Sequence, residues 1–232
     1  MYNKPYQFSR YCTVILLTVC MGLGLTHEAS AKKSKKGWQD VGVDRGVHVM
    51  RKQVKGSGLL AFRGEIEENI AMDMLIATFT DPNQRKFWVD KYENHVTIKK
   101  TPIMEKYWIR FDLPWPVSDR DYVLESKANI DKDKGVIEVR IQSITHPKYP
   151  VDCCVRAQAK RTYYRFTALS RTRTRLEVEV HTDPKGLLPN WLVNAIQKKW
   201  PSKTLSGLIR QARKNKGSHK DTLAWLKQKF PG

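Results

Sequence analysis

The chain reads as an α+β protein, a curved antiparallel sheet wrapped around a long C-terminal α-helix. Three observations predict this. From about Glu93 to His181, apolar residues alternate with charged ones at a spacing of two, as in strands with one buried and one wet face. Further on, Leu192, Ile196, Trp200, Leu205, Leu208, Ile209 and Ala212 fall largely on one helical face. Between them, Asp183-Pro184-Lys185-Gly186 reverses the chain and Pro189 suits the first turn of a helix. A sheet with one wide apolar face must wrap a partner, and the amphipathic helix is the natural one. The space between the two is packed or hollow.

The elements follow in order. Lys4 and Arg10 precede an apolar run from Val14 to Leu25, and Ala29-Ser30-Ala31 is a small-x-small cleavage signal. Residues 1–31 therefore read as a cleaved signal peptide, since the run is short of the ~20 residues that span a bilayer. Residues 32–37 form a flexible basic leader, and Trp38 opens the ordered part. Val47 and Val49, then Phe62, Gly64 and Ile66, alternate around the turn Gly56-Ser57-Gly58 as a hairpin would. Asn69 is expected to cap a helix through about Phe79, with Ile70, Met74, Ala77 and Phe79 as its apolar stripe. Asp81-Pro82 is expected to start a second helix that ends near Trp88.

The meander then runs through Tyr107, Ile109 and Phe111; Leu124, Ser126, Ala128 and Ile130; Ile137, Val139 and Ile141; Tyr164, Phe166 and Ala168; and Leu176, Val178 and Val180. Glu125, Lys127, Glu138, Arg140, Glu177 and Glu179 take the opposite parity. Pro114-Trp115-Pro116, Asp131 to Gly135, Pro147 and Pro150 mark the turns. The block from Pro189 to Lys214 is the long helix, kinked or broken near Pro201. Residues 215–232 form a basic extension in which Ser218 caps a short amphipathic helix carrying Leu223, Leu226 and Phe230.

Composition narrows the function. The 232 residues carry 42 Lys and Arg against 23 Asp and Glu, a formal net charge of +19 that favours anionic partners. Export argues against nucleic acid and leaves an anionic membrane surface as the expected contact. Past the leader only Cys153 and Cys154 remain. Adjacent cysteines give no disulfide framework, and they are expected as packing residues near a strand end. The histidines are scattered, with no His-Glu-x-x-His and no Gly-x-Ser-x-Gly turn, so neither a catalytic centre nor a metal or other cofactor site is expected. Asp131-Lys132-Asp133-Lys134-Gly135 lacks the glycine position and closing glutamate of a calcium loop and is expected to be a hairpin turn. Arg120-Asp121 admits two readings, a phosphate-holding arginine near a cavity or a pair that locks a strand start onto a neighbouring loop. Arg156 is open between the same two.

Trp88, Asp119-Arg120-Asp121-Tyr122-Val123, Ser143 to His146, Val155-Arg156-Ala157, and above all Asp183 to Asn194 with Pro201 downstream, carry a resemblance. In their order and spacing the chain resembles a START domain, the lipid-transfer module related to the steroidogenic acute regulatory protein, here as an exported bacterial member. The resemblance covers about residues 38–214. It implies the helix-grip (START/Bet v 1-like) fold, with the sheet gripping the terminal helix around an internal cavity that holds one lipid or sterol. The walls would then come from Tyr107, Ile109, Phe111, Leu124, Ser126, Ile137, Val139, Ile141, Arg156, Tyr164 and Phe166, and the lid from Leu192, Ile196, Trp200 and Leu205. By this resemblance the family's N-terminal helix is expected to be abbreviated or missing here, and Ser126 stands where sterol-binding members would place an arginine. The expected function is non-catalytic binding and transfer of one hydrophobic ligand by a monomeric, periplasmic or secreted protein that touches an anionic membrane transiently. The alternative is a helix-grip enzyme, a cyclase or hydrolase acting in the same cavity.

Overall fold

The computed structural model describes residues 37–115, 117–149 and 153–231. The expected signal peptide and nearly all of the basic leader lie outside the described residues. In chain order come β1 (Gln39–Asp44), β2 (Val47–Gln53), β3 (Leu60–Glu68), α1 (Met72–Thr80), a 3₁₀ turn (Pro82–Gln84) running into α2 (Arg85–Trp88), β4 (Tyr92–Thr101), β5 (Met104–Phe111), β6 (Arg120–Asp131), β7 (Val136–Ser143), β8 (Val155–Arg156), β9 (Gln158–Ala168), β10 (Thr174–Asp183), α3 (Asn190–Asn215) and α4 (Lys220–Lys229). The strands make one curved sheet in the order β1-β2-β3-β10-β9-β7-β6-β5-β4, antiparallel throughout except that β8 lies parallel to β6.

Local chemistry sets the turns. Arg45 and Gly46 both take positive φ between β1 and β2, the conformation a two-residue hairpin turn needs. Asp131 Oδ1 accepts from Lys134 N at 3.0 Å, and Gly135 takes φ 73°, so this stretch is the expected hairpin turn. On the wet face, Glu177 pairs with Arg63, Glu138 with Arg165, and Glu125 with Lys127 and Lys106. Arg63, Arg165 and Lys106 thus bridge neighbouring strands, while Lys127 pairs along β6 itself.

Several helix boundaries differ from the sequence reading. α1 starts at Met72 with Ala71 at its cap, because β3 runs on to Glu68. Its buried residues are Met72, Leu75, Ile76 and Thr78, with Asp73, a stripe shifted from the expected one. Asp81 caps the following turn as expected, accepting from Asn83 N at 2.9 Å. α3 is not broken at Pro201, which is buried within one continuous helix. His219, not Ser218, caps α4; Ser218 Oγ instead donates to Asp73 Oδ2 at 2.6 Å. Cys153 and Cys154 are joined to each other, which corrects the expectation of two packing thiols. The bond closes within one dipeptide and ties no distant segments together, and Cys153 is exposed.

What places the cavity is where α3 touches the sheet. Its main partners are β2, β3, β10, α1 and α2, and β4 to β6 are not among them. Two glycines permit the close approach. A Cβ on Gly64 would stand 2.8 Å from Pro201 Cβ and 2.9 Å from Val47 Cγ1, and one on Gly207 would stand 2.7 Å from the Trp88 carbonyl oxygen. Around this seam Leu205, Leu208, Ile209 and Ala212 pack with Val47, Leu75, Phe166, Leu176 and Val178 in one buried core. The Trp88 carbonyl is backbone and has little freedom to retreat. Gly207→Ala is therefore expected to lower unfolding stability by ~1–3 kcal/mol, read as a lower urea midpoint with an unchanged slope.

Candidate functional site

Beyond the seam the sheet stands away from α3 and leaves a cavity of about 470 Å³. β5 contributes Tyr107, Ile109 and Phe111, β6 Leu124 and Ser126, β7 Val139 and Ile141, and β9 Tyr164; from α3 come Ile196 and Trp200. The two-residue period aims these strand residues inward. Five expected wall or lid residues lie elsewhere. Ile137 and Phe166 share the inward parity, but they sit over the seam with Leu205 of α3, and all three pack solid. Leu192 falls off the cavity-facing stripe, where Val193 and Gln197 stand instead. Arg156 is outside the cavity lining and binds the Asp121 carboxylate from Nε at 2.9 Å and Nη2 at 2.7 Å.

One end of the hollow is lined by aromatic rings. Phe79 lies 5.7 Å from Trp88, 4.9 Å from Tyr164 and 5.4 Å from Phe166, centroid to centroid. Beside them is a charged pair that the sequence reading did not identify. Arg85 of α2 reaches Glu105 of β5 with Nη2–Oε2 at 2.7 Å and Nη1–Oε1 at 3.5 Å, and both side chains are buried. Thr97 Oγ1 donates to the same carboxylate at 3.0 Å, and the guanidinium carbon lies 4.3 Å from the Tyr107 ring centroid. Ser126 lies opposite Glu105 in the β5–β6 register and donates to its backbone carbonyl at 3.5 Å. The counter-charge thus comes from α2 and not from the neighbouring strand. The pair is closed on itself. Its detectable signal was Glu105, a carboxylate at the inward parity shared with Tyr107 and Ile109.

Burial raises the Tyr107 phenol to about 12, and it also pushes up those of Tyr122 and Tyr164. All three remain neutral. Gln197 donates from Nε2 to the Thr182 carbonyl at 2.8 Å, which leaves its Oε1 without a partner inside the wall; Trp88 Nε1 is likewise unpaired. Among the described residues of this lining, no nucleophile, base and orienting group are joined in one hydrogen-bonded set.

The opposite end is a lip built by Arg120. Its Nε donates to the Pro184 carbonyl at 3.0 Å, Nη2 to that of Lys185 at 3.2 Å, and Nη1 to that of Ser118. One guanidinium thereby joins the β5–β6 and β10–α3 loops, so the locking reading of Arg120 is the one the geometry supports. Desolvation is the main cause that lowers its pKa, yet it remains charged at any ordinary pH. The next residue, Asp121, holds Trp108 Nε1 at 2.7 Å as well as Arg156. The two loops expose Trp115 at 92% and Leu187 entirely, and Trp191 follows on α3 at 71%. Leu113, Leu188 and Ile196, beside them in sequence, line the cavity mouth.

Known proteins share this fold. The sequence profile of the START domain matches residues 28–216. The phosphatidylcholine transfer protein of Mus musculus is 25% identical over 178 residues, covering 75% of this chain and 82% of that protein. The crystal structure of a STAR-related lipid transfer protein fragment from Xanthomonas axonopodis superposes with a TM-score of 0.67 at 26% identity, covering 76% of this chain and 99% of that one. Human STARD10 superposes at 0.72 with 22% identity, covering 85% and 78%.

The closed pair sets a stability test. Glu105→Ala leaves a buried guanidinium without its counter-charge and is expected to cost ~3–5 kcal/mol. Replacing both partners by apolar residues, Arg85→Met with Glu105→Leu, is expected to recover most of that loss in urea denaturation.

Proposed function

This chain belongs to the START domain family, and from that premise we propose that it binds one hydrophobic ligand in the cavity under α3 and carries it between membranes. The observation that carries the reading is a hollow of about 470 Å³ walled chiefly by apolar side chains, whose deepest charges are mutually satisfied. The volume lies in the lower half of the ~300–1,000 Å³ typical of ligand sites, room for one chain or one compact ring system. A chain in such walls gains ~0.8 kcal/mol per methylene, so binding requires neither covalent attachment nor a metal.

The lip supplies the route. Trp115, Leu187 and Trp191 are exposed apolar residues gathered where two loops meet, and such patches mark interaction surfaces. Lys198 and Lys199 stand two turns along α3 from Trp191, exposed and without an ion-pair partner among the described residues. Near an anionic bilayer each adds ~1 kcal/mol of attraction, which salt screens within a Debye length of ~8–10 Å. The aromatic lip then enters the headgroup region, the loops held by Arg120 part from α3, and the ligand exchanges without an energy source. The protein acts as a monomer, outside the cytoplasm after loss of residues 1–31.

Extracting the purified protein with organic solvent is expected to yield one lipid per chain by mass spectrometry. A chain that is empty, or one that converts its guest into a different product, would contradict the reading. Raising salt is expected to weaken docking to anionic vesicles while leaving the affinity for monomeric lipid unchanged. Equal loss of both would refute the division between lip and cavity. Trp115→Ser with Trp191→Ser is expected to slow transfer between vesicles about tenfold or more and to leave that affinity intact, since the two exposed rings contribute apolar burial only at the membrane.

A further inference from the structure

We propose that α4 closes the end of the cavity remote from the lip, and that His219 at its start is the stop that fixes how long a hydrocarbon chain the protein accepts. The inference deepens the lipid-binding reading and rests on it.

The cavity runs the length of β5. Leu113 and Arg120 line it at the lip, whereas Ile103 and Met104 line it at the other end of the strand. At about 3.4 Å per residue, Met104 and Phe111 stand roughly 24 Å apart. Four elements border the far end: Thr80 of α1, the β4–β5 turn with Ile103, Ala128 of β6, and His219. Lys100 Nζ donates to the Thr80 carbonyl at 2.5 Å and so ties β4 to the end of α1. His219 supplies the fourth border. It lies in the C-terminal extension, beyond the residues that match the START profile, which end at 216. Three borders thus belong to the matched residues, and the extension adds the last.

The extension is firmly fastened. Trp225 and Leu226 are buried in the main core, exposed by only 6% and 1%. Trp225 Nε1 donates to the Lys132 carbonyl at 3.2 Å and Lys229 Nζ to that of Asp133, so α4 is fixed to the β6–β7 turn. At its start, Ser218 Oγ donates to Asp73 Oδ2 at 2.6 Å and His219 N to the Asp73 carbonyl at 3.2 Å, which fixes it to α1. The His219 ring is held as well. Its Nδ1 lies 2.9 Å from Thr222 Oγ1 and accepts from Thr222 N at 3.4 Å. A ring held in this way cannot swing aside without uncapping α4. A chain that lengthens inside the hollow gains about fourfold in affinity per methylene. Once it reaches this ring, the next methylene finds no wall to cover it, and the gain stops.

Displacement titrations with unbranched primary alcohols of rising length, from octanol to eicosanol, read the stop directly. These probes are neutral, so their order reports length whichever end leads. Wild-type affinity is expected to climb about fourfold per methylene and then to level off or fall at one chain length. His219→Ser and His219→Asn keep an N-cap side chain but shorten it. In both, the break is expected at a longer alcohol, and the first alcohol past the wild-type break should bind about fourfold more tightly than it does to wild type. Undocking of α4 in a variant would move the break the same way, since it removes the border altogether. Ala128→Leu fills the same end from the sheet side and is expected to move the break to a shorter alcohol. A wild-type affinity that climbs through the whole series, a break unmoved in both His219 variants, or one unmoved in Ala128→Leu would each overturn the proposal while leaving the lipid cavity standing. Failure of every alcohol to bind would remove the lipid-binding reading itself, and the proposal with it.

Discussion

The one-sided seating of α3 on the sheet is the constraint from which the rest of the molecule follows. Gly64 and Gly207 remove the side chains that would hold the helix off, and Pro201, Leu205 and Leu208 fill the resulting seam against β2, β3 and β10. A long antiparallel sheet cannot follow a straight helix along its whole width, because strand twist carries the far strands away. β4, β5 and β6 therefore rise clear of the helix, and the volume between them stays open. The hollow is what remains when a helix is fixed at one margin of a curved sheet.

This geometry also sorts the polar groups. On the outer face, charges meet water and one another across strands. Inside, the structure tolerates Arg85 and Glu105 only as a closed pair stacked on Tyr107, in keeping with the cost of any unpaired buried charge. At the lip Arg120 spends its donors on three backbone carbonyls, so that it organises loops and offers no free fork to an anion.

Much of this was legible in residue order. Parity alone placed Tyr107, Ile109, Leu124, Val139, Ile141 and Tyr164 on the inward face, because a strand permits no other assignment once one face is charged. It failed for Ile137 and Phe166, which share that parity. Whether an inward residue meets a helix or a void depends on how far α3 extends over its strand, and that is a tertiary quantity. Leu192 and Gln197 exchanged roles because the stripe was drawn through apolar residues alone, whereas Val193, Gln197, Pro201 and Leu205 recur at intervals of four. Arg85 sits in a helix of only four residues, too short to show a face. The Cys153–Cys154 bond could not be anticipated from spacing, since adjacency is compatible with either state. β1 has no buried residue and so showed no alternation to detect.

The claim on which all of this turns is that the space beneath α3 is empty and available. Ala159 is buried on that wall among Tyr107, Ile109 and Leu124 and borders the hollow. The direct measurement is to substitute Ala159→Phe and determine, on the same protein, the urea midpoint and the stoichiometry of bound lipid. A true void accepts the ring, so stability should hold within about 1 kcal/mol while lipid binding disappears. If the space is solid, the ring costs the ~1–3 kcal/mol of an overpacked core, and any lipid binding present in the parent survives undiminished. That second outcome would contradict the account.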